Sequence, residues 1–200
     1  MYNIRIVNFQ LACARGQLEI VKSYIPYITP EEIRSDNNRA FGYACALGGL
    51  EIAQLLVKSF DLTEEDVRSN DNFALQKACE NNQVETCIWL VETFSFTADD
   101  VRAKNNFMIW AACWTGSILT AKWLVKTFKL TIQDLNRINP RISSFQAACE
   151  MGNFEIIKWL TEEFNLTERD DCAIECARTG GYEEIEQWLI ERFGSSCTLA

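Results

Sequence analysis

Residues able to carry chemistry are unevenly represented in this 200-residue chain, which has nine cysteines and no histidine. Without histidine, Ser-His-Asp and Cys-His nucleophile systems and the His-Glu-x-x-His metal motif are excluded. No Walker phosphate loop and no Gly-x-Gly-x-x-Gly fingerprint is present. Cys172 and Cys176 lie at i and i+4, but a zinc site would need a second pair at suitable spacing. We therefore expect no enzyme activity, no cofactor and no metal site.

Carboxylates and arginines recur along the chain in local groups. Pairs such as Asp99-Asp100 lie where helices are predicted to start, so capping and solubility explain them better than acid–base catalysis. Arg34, Arg68 and Arg102 form a column that could be a basic stripe for an acidic partner. Each arginine also follows acids on its own predicted short helix, and we expect local pairing.

These residues are organised by an internal repeat. The motif Ala-Cys-x-x-Gly, with small variations, starts at Ala12, Ala44, Ala78, Ala112 and Ala148, at spacings of 32, 34, 34 and 36 residues, and a sixth copy starts at Ala177. Periods of this size are typical of solenoids. The repeat boundaries are predicted at about 1–37, 38–71, 72–105, 106–139, 140–170 and 171–200, within one domain spanning 1–200.

The cysteine of this motif occupies one column of the array. Equivalent atoms of stacked helices lie about 10 Å apart, whereas a disulfide needs Cα atoms within about 4.4–6.8 Å. We expect these five cysteines to be reduced core residues, which would place the protein in a reducing, intracellular compartment, the cytoplasm.

Each copy predicts two helices and a short third one. In the first helix, Leu75, Ala78, Cys79 and Asn82 follow the i, i+3, i+4, i+7 spacing of a buried face, and glycine or Asn82 suits a left-handed helix end. The second helix carries recurring columns, which are Ile20, Ile52, Ile156 and Ile185; Leu56, Leu90, Leu124, Leu160 and Leu189; Trp89, Trp123, Trp159 and Trp188; and Phe60, Phe94, Phe128, Phe164 and Phe193. The tryptophans could stack ligands, but we expect them to fill grooves between successive copies.

The third helix of each copy is predicted from a capping pattern. Thr63 and Thr97 are each followed three residues later by aspartate, which approximates a capping box with Asp in place of Glu. Asn- and Asp-rich links such as 69–72 then lead into the next copy. In the fifth copy, the stretch 167–170 runs almost directly into the next helix, so its short helix is expected to be lost or fused.

These phrases resemble the ankyrin repeat. Ala-Cys-x-x-Gly-x-Leu-Glu-Ile-Val-Lys at 12–22, with similar segments at 44–54 and 148–158, is similar to that family's Ala-Ala-x-x-Gly-His-x-Glu-Ile-Val, and the resemblance covers nearly the whole chain. The departures are the absence of histidine, which removes the Thr-Pro-Leu-His opening, and the Thr-x-x-Asp-Val-Arg helix where the family has a β-hairpin finger. The long repeat looks like arrays from single-celled eukaryotes and large DNA viruses.

The predicted fold is therefore all-α: an α-solenoid of about six ankyrin-like helix-turn-helix repeats, each followed by a short capped helix. TPR and HEAT-type helical repeats are the structural alternatives. The resemblance implies protein–protein binding on the concave face, by the free side of the first helices.

Charge and hydropathy bear on the class of partner. Nineteen basic and 28 acidic residues give a net charge of −9, which opposes binding to nucleic acid or to anionic membranes. No secretory signal is visible, and the longest apolar run, 107–114, is far shorter than the roughly 20 residues of a membrane span.

The free face of the first helices, which is predicted to include Gly42, Ala46, Ala111 and Ala147, offers a partner surface because its residues vary between copies while the core columns repeat. Trp114 is expected at its centre, with Trp110 either beside it or packed between repeats. The predicted partner-binding residues are Tyr43, Leu47, Lys77, Glu80, Trp110, Trp114 and Met151. The expected function is a non-catalytic scaffold that binds a protein or peptide, or alternatively a host-directed adaptor or inhibitor that sequesters a cellular protein. We expect a monomer, with self-association possible through the N-terminal edge at Tyr2 to Ile6.

Overall fold

A computed structural model describes residues 4–136 and 142–194, and the ordered elements in these ranges are all helical, with no strand. The all-α prediction is therefore confirmed. Tyr2 of the predicted N-terminal edge and the boundary at 139–140 lie outside the described residues. The chain divides into two compact units, Met1–Asp100 and Val101–Ala200.

The described helices of the first unit alternate between the predicted first and second positions of each copy. They are α1 (Ile4–Ala14), α2 (Leu18–Tyr24) with a 3₁₀ turn (Ile25–Tyr27), α3 (Pro30–Tyr43) continued by a π-helical turn (Ala44–Gly48), α4 (Leu50–Phe60), α5 (Glu64–Glu80) and α6 (Val84–Thr93). The helix α7 (Ala98–Thr115) begins at the end of this unit.

The second unit continues this alternation after α7, except that α9 is a separate short helix. Its described helices are α8 (Ile118–Phe128), α9 (Ile132–Leu135), α10 (Ser144–Glu150), α11 (Phe154–Glu163), α12 (Asp171–Thr179) and α13 (Glu183–Phe193). No helix forms over 167–170, so the predicted loss of the fifth short helix is confirmed.

The core consists of the predicted columns. On the first helices the buried residues are Phe9, Ala12 and Cys13; Phe41, Ala44 and Cys45; Leu75, Ala78 and Cys79; Ile109, Ala112 and Cys113; and Phe145, Ala148 and Cys149. On the second helices, Ile52, Leu56, Leu90, Leu124, Ile156 and Leu160 are at most 1% exposed. Ile20 is the exception at 44% exposed, because it begins its column and the described residues contain no earlier second helix to cover it.

The tryptophan column packs mainly against the phenylalanine that closes its own helix. Trp89 and Trp123 meet Phe94 and Phe128 edge-on, with ring centroids 5.8 and 5.6 Å apart. Two members also contact a neighbouring second helix. Trp188 meets Phe154 of α11 at 5.5 Å, and Nζ of Lys122 of α8 lies 5.9 Å from the Trp159 ring.

Left-handed residues separate the short helix from the first helix of the next copy. Inside α5, Asn70, Asp71 and Asn72 have φ of 52°, 59° and 65°, and Lys104, Asn105 and Asn106 repeat the turn inside α7. Asn and Asp tolerate this conformation better than other non-glycine residues, which explains the composition of the links. Asn82 has φ 57°, so it takes the left-handed position held by Gly16, Gly116 and Gly152 in other copies, as predicted.

The capping boxes have a second function, which is to join successive copies. Asp66 Oδ2 accepts hydrogen bonds from Thr63 N and Oγ1, while Oδ1 accepts from Arg34 Nε of the preceding copy at 2.9 Å. Arg34 Nη2 also donates to the carbonyls of Phe60 and Asp61, which end the intervening helix α4. We call this arrangement the arginine bridge.

The arginine bridge recurs twice. Arg68 Nη1 lies 2.6 Å from Asp100 Oδ1, and Arg102 Nε lies 3.0 Å from Asp134 Oδ1, always 32 residues apart. The expectation of local pairing is met by Arg68, whose Nε binds Glu64 of its own helix at 2.8 Å. Local pairing is wrong as a general account, because each of the three arginines pairs with an aspartate of the next copy.

Charge and burial together set the ionisation of the bridging carboxylates. Partial burial would raise the pKa of Asp66, but hydrogen bonds from Arg34 and Thr63 outweigh it, and the pKa is lowered. The same balance, with Thr97 and Arg68 around Asp100 and with Arg102 and Thr131 around Asp134, lowers the pKa of both. The arginine bridge is therefore an ion pair at neutral pH.

Breaking one bridge should destabilise the chain. Arg68→Ala leaves Asp100, whose side chain is 21% exposed, without its charged partner, and we expect a loss of about 1–3 kcal/mol in unfolding free energy. The matched control is Arg39→Ala, because Arg39 and its partner Asp36 are 49% and 59% exposed and such pairs contribute little. Urea unfolding measures both, and equal losses would contradict a special role for the bridge.

The bridges should also make stability depend on pH. Because the folded-state pKa values of the aspartates are lowered, their contribution is complete above the unfolded value of about 3.9 and is lost as the pH falls through the folded-state values. We expect Asp66→Asn/Asp100→Asn to lose less stability than wild type between pH 7 and pH 3. The control is Glu65→Gln, which changes an exposed acid on α5. In urea unfolding, this variant should lose as much free energy of unfolding between pH 7 and pH 3 as wild type does. The same loss in the double variant would refute the assignment.

Candidate functional site

Three aromatic rings stack along one side of α7. The Phe107 and Trp110 centroids are 5.8 Å apart at 30°, and the Trp110 and Trp114 centroids are 5.2 Å apart at 21°. The residues are three and four positions apart, so they lie on one helix face just after the left-handed link. Trp110 and Trp114 are both half-buried, which decides the question that the sequence left open. We call this group the aromatic stack.

The stack contains a polar atom without a partner. Nε1 of Trp110 is buried and finds no hydrogen-bond acceptor in the described part of the chain. An indole N–H usually finds an acceptor when it is buried, so leaving it unpaired costs about 1–3 kcal/mol.

The end of α7 beneath Trp114 is fixed by Asn153. Its Nδ2 donates to the carbonyls of Cys113 at 2.8 Å and Trp114 at 2.9 Å. Gly116, at φ +77°, makes room for this contact, since a Cβ there would lie 2.7 Å from Asn153 Oδ1. The helix end that carries Trp114 is therefore held in place within the second unit.

In the first unit, the predicted site residues form separate local groups. Tyr43 Oη accepts from Arg39 Nε at 2.7 Å, and Leu47, in the π-helical turn, is 56% exposed. Lys77 is ion-paired with Glu80 three residues later, and its Nζ lies 5.6 Å from the Phe73 ring. Met151, in the second unit, is 38% exposed at the end of α10.

The face itself is less exposed than its sequence predicted. Four small residues that were predicted on the free side are buried: Gly42, Ala46, Ala111 and Ala147. The three alanines are at most 3% exposed. Tyr43, Lys77 and Glu80 are half-buried, like the two tryptophans. Small side chains in these columns lie against neighbouring helices, so the accessible area of the face is smaller than predicted.

Sequence reasoning missed the residues that begin this face. Arg39, Phe73 and Phe107 each contact a predicted site residue, and they recur at 34-residue intervals directly after the links. Aligning the first position of each first helix, as was done for the core columns, would have found them.

The buried cysteines have raised thiol pKa values. Burial raises the pKa of Cys13 and Cys113 to about 12, and it raises the pKa of Cys45 well above its ordinary value. Cys79 and Cys87 Sγ atoms lie 3.7 Å apart, as free thiols. Because the thiolate is the reactive form, these residues serve as small core side chains. Cys172 is exposed, and Cys176, partly buried, has its pKa raised to about 11.

Among residues 4–136 and 142–194, no group of three or more Cys, Asp or Glu side chains is placed to hold a metal ion. None of the helices described there has the length and hydropathy needed to cross a membrane. No protein-family model matches the chain, and no match is found among curated proteins.

Thiol reactivity should follow this division. In the native protein, we expect Cys172 to be alkylated by iodoacetamide much faster than Cys13, Cys45, Cys79 or Cys113, because only Cys172 among these is exposed. Peptide-resolved mass spectrometry over a time course measures each residue separately. All five should react alike after unfolding in guanidinium, and rapid native labelling of the motif cysteines would contradict their packing role.

Proposed function

We propose that this chain is an ankyrin-like α-solenoid that acts as a non-catalytic scaffold, binding a protein or peptide through its first-helix face. Supporting observations are the recurring buried columns, the repeated left-handed links and the arginine bridges at a constant 32-residue separation. Nearest-neighbour contacts of this kind are how repeat arrays are stabilised.

The aromatic stack is the observation that carries the proposal. Large aromatic side chains that are partly accessible on a rigid helix are preferred anchors for protein partners, because they bury much apolar area at little cost in side-chain entropy. The stacked rings restrict each other, and the Asn153 contact fixes the backbone beneath them. A partner therefore meets an anchor that is already ordered.

The other predicted residues of the first-helix face define the partner in general terms. Leu47 and Met151 are exposed apolar side chains at the same end of their first helices, and Lys77 and Glu80 add a charged pair. Such a mixture suits a polypeptide with one or two apolar side chains and polar flanks. The net charge of −9 favours a protein partner over nucleic acid, and we place the interaction in a reducing, intracellular compartment.

Affinity capture tests the proposal with a matched pair of tryptophan variants. Trp114→Ala should lose partners that wild type captures, with affinity falling by about 2 kcal/mol or more, as expected for a central aromatic anchor. Trp123→Ala is the control, since Trp123 is equally half-buried but lies on α8, outside the face. Its captured partners should match those of wild type.

The outcomes separate binding from folding. Circular dichroism must show that both variants retain helical content, and affinities are then measured with the purified captured protein. Partners retained by Trp114→Ala at wild-type affinity would reject the first-helix face as the site. Host proteins among the specific partners would favour the alternative function of a sequestering adaptor.

A further inference from the structure

The capping carboxylate of each short helix recruits an arginine from an earlier element. Glu32 binds Arg5 at 2.7 Å, and the three arginine bridges supply Asp66, Asp100 and Asp134. In each bridge the guanidinium also donates to the carbonyl that ends the intervening second helix, such as Phe94 O at 3.0 Å or Phe128 O at 3.3 Å. In these four copies, the capping carboxylate of the short helix therefore binds an arginine guanidinium.

The next copy has asparagine at the arginine position. Asn136, the C-cap of α9, takes the place of Arg34, Arg68 and Arg102, and in sequence Asp170 takes the place of the capping aspartates, although no short helix forms over 167–170. Asp170 caps α12, its Oδ1 accepting from Ala173 N at 3.0 Å. Instead of a guanidinium, Gln146 Nε2 donates to its two oxygens at 3.3 and 3.0 Å.

A cavity of about 540 Å³ lies at this position, within the second unit. Asn165 lines it and is left-handed, with φ 47°, like Asp61 and Ser95, whose carbonyls accept from the bridge arginines. Leu166 lines it where Phe96 lies against the Arg68 guanidinium at 4.3 Å. The cavity therefore has the acceptor and the apolar wall of the arginine bridges.

The charge of the lining is unbalanced in favour of a cation. Among the described residues, Glu168, Asp170 and Asp171 provide three carboxylates to the lining, and Arg169 pairs with Asp171 at 2.7 Å in an exposed ion pair. A carboxylate has about four acceptor positions, so Asp170 retains capacity beyond the bonds from Gln146 and Ala173.

We propose that this cavity binds an arginine side chain of a protein partner, which supplies in trans the guanidinium that Asn136 fails to supply in cis. Guanidinium fits better than ammonium, because it is planar, can bond a carboxylate with two nitrogens, and can also reach a helix-terminal carbonyl, as Arg34 does with Asp66 and Phe60. This site is separate from the aromatic stack and does not rest on its function.

Peptide titration tests the proposal directly. Acetyl-Gly-Arg-Gly-amide is titrated into the ¹⁵N-labelled full chain, and the same peptide with citrulline, a neutral isostere of arginine, is the matched ligand control. We expect shifts at the Gln146, Asp170 and Cys172 amides, with the arginine peptide binding at least about tenfold more tightly than the citrulline peptide. Trp114→Ala should leave this binding unchanged, which distinguishes the site from the aromatic stack.

Substitutions at two positions probe the site from the protein side. Asn136→Arg should complete the bridge in cis, raising Tm by about 2–4 °C and abolishing peptide binding, whereas Asn136→Ala should keep the cavity open and retain binding. Asp170→Asn should abolish the arginine preference without unfolding α12, because asparagine caps helices as well as aspartate does.

Three results would overturn the proposal. The first is equal affinity for the arginine and citrulline peptides, and the second is an Asn136→Arg variant that gains no stability and still binds peptide. The third concerns Arg137 and Arg141, which lie outside the described residues. If the arginine peptide binds only after both are changed to alanine, the chain fills the cavity itself and no partner arginine is required.

Discussion

The structure depends on a carboxylate that is shared between two copies of the repeat. Oδ2 of Asp66, Asp100 or Asp134 closes a capping box within its own short helix, and Oδ1 accepts the guanidinium of the preceding copy, which at Asp66 and Asp134 reaches Oδ2 as well. The arginine also bonds the carbonyl at the end of the second helix, so one side chain compensates a helix N-terminus and a helix C-terminus together. The same aspartate therefore couples local helix formation to stacking.

This coupling gives a physical reason for two features of the repeat. The short helix that follows α4 or α6 places its capping acid within reach of the previous arginine, and the left-handed link then turns the chain into the next first helix. Asn38 and Asn106 strengthen the link, since their Nδ2 atoms donate to the carbonyls of Asp66 and Asp134 at 2.9 Å. The asparagines of the links thus bond to the same short helix as the bridge arginine does, which explains why asparagine recurs in the links.

The sequence predicted those features that depend on residue spacing within one copy. The buried columns, the capping boxes, the left-handed Asn82 and the missing fifth short helix follow from spacing and from conformational preference within one copy. Partners one repeat away were harder to assign. The arginine column was interpreted as local pairing, and Ala46, Ala111 and Ala147 were placed on a free face, because a helical wheel ignores neighbouring helices. The constant separation of 32 residues between arginine and aspartate was the available signal.

The bridge and the proposed binding face are joined within α7. Arg102 anchors the start of this helix to Asp134, three left-handed residues follow, and Phe107 then begins the aromatic stack. The part of α7 that carries Trp110 and Trp114 is consequently held at both ends, by the bridge and the link on one side and by Asn153 beneath Trp114 on the other. An anchor fixed in this way loses little conformational entropy on binding, so substitutions at Arg102 or Asn106 would act on partner affinity through the placement of the rings rather than through direct contact.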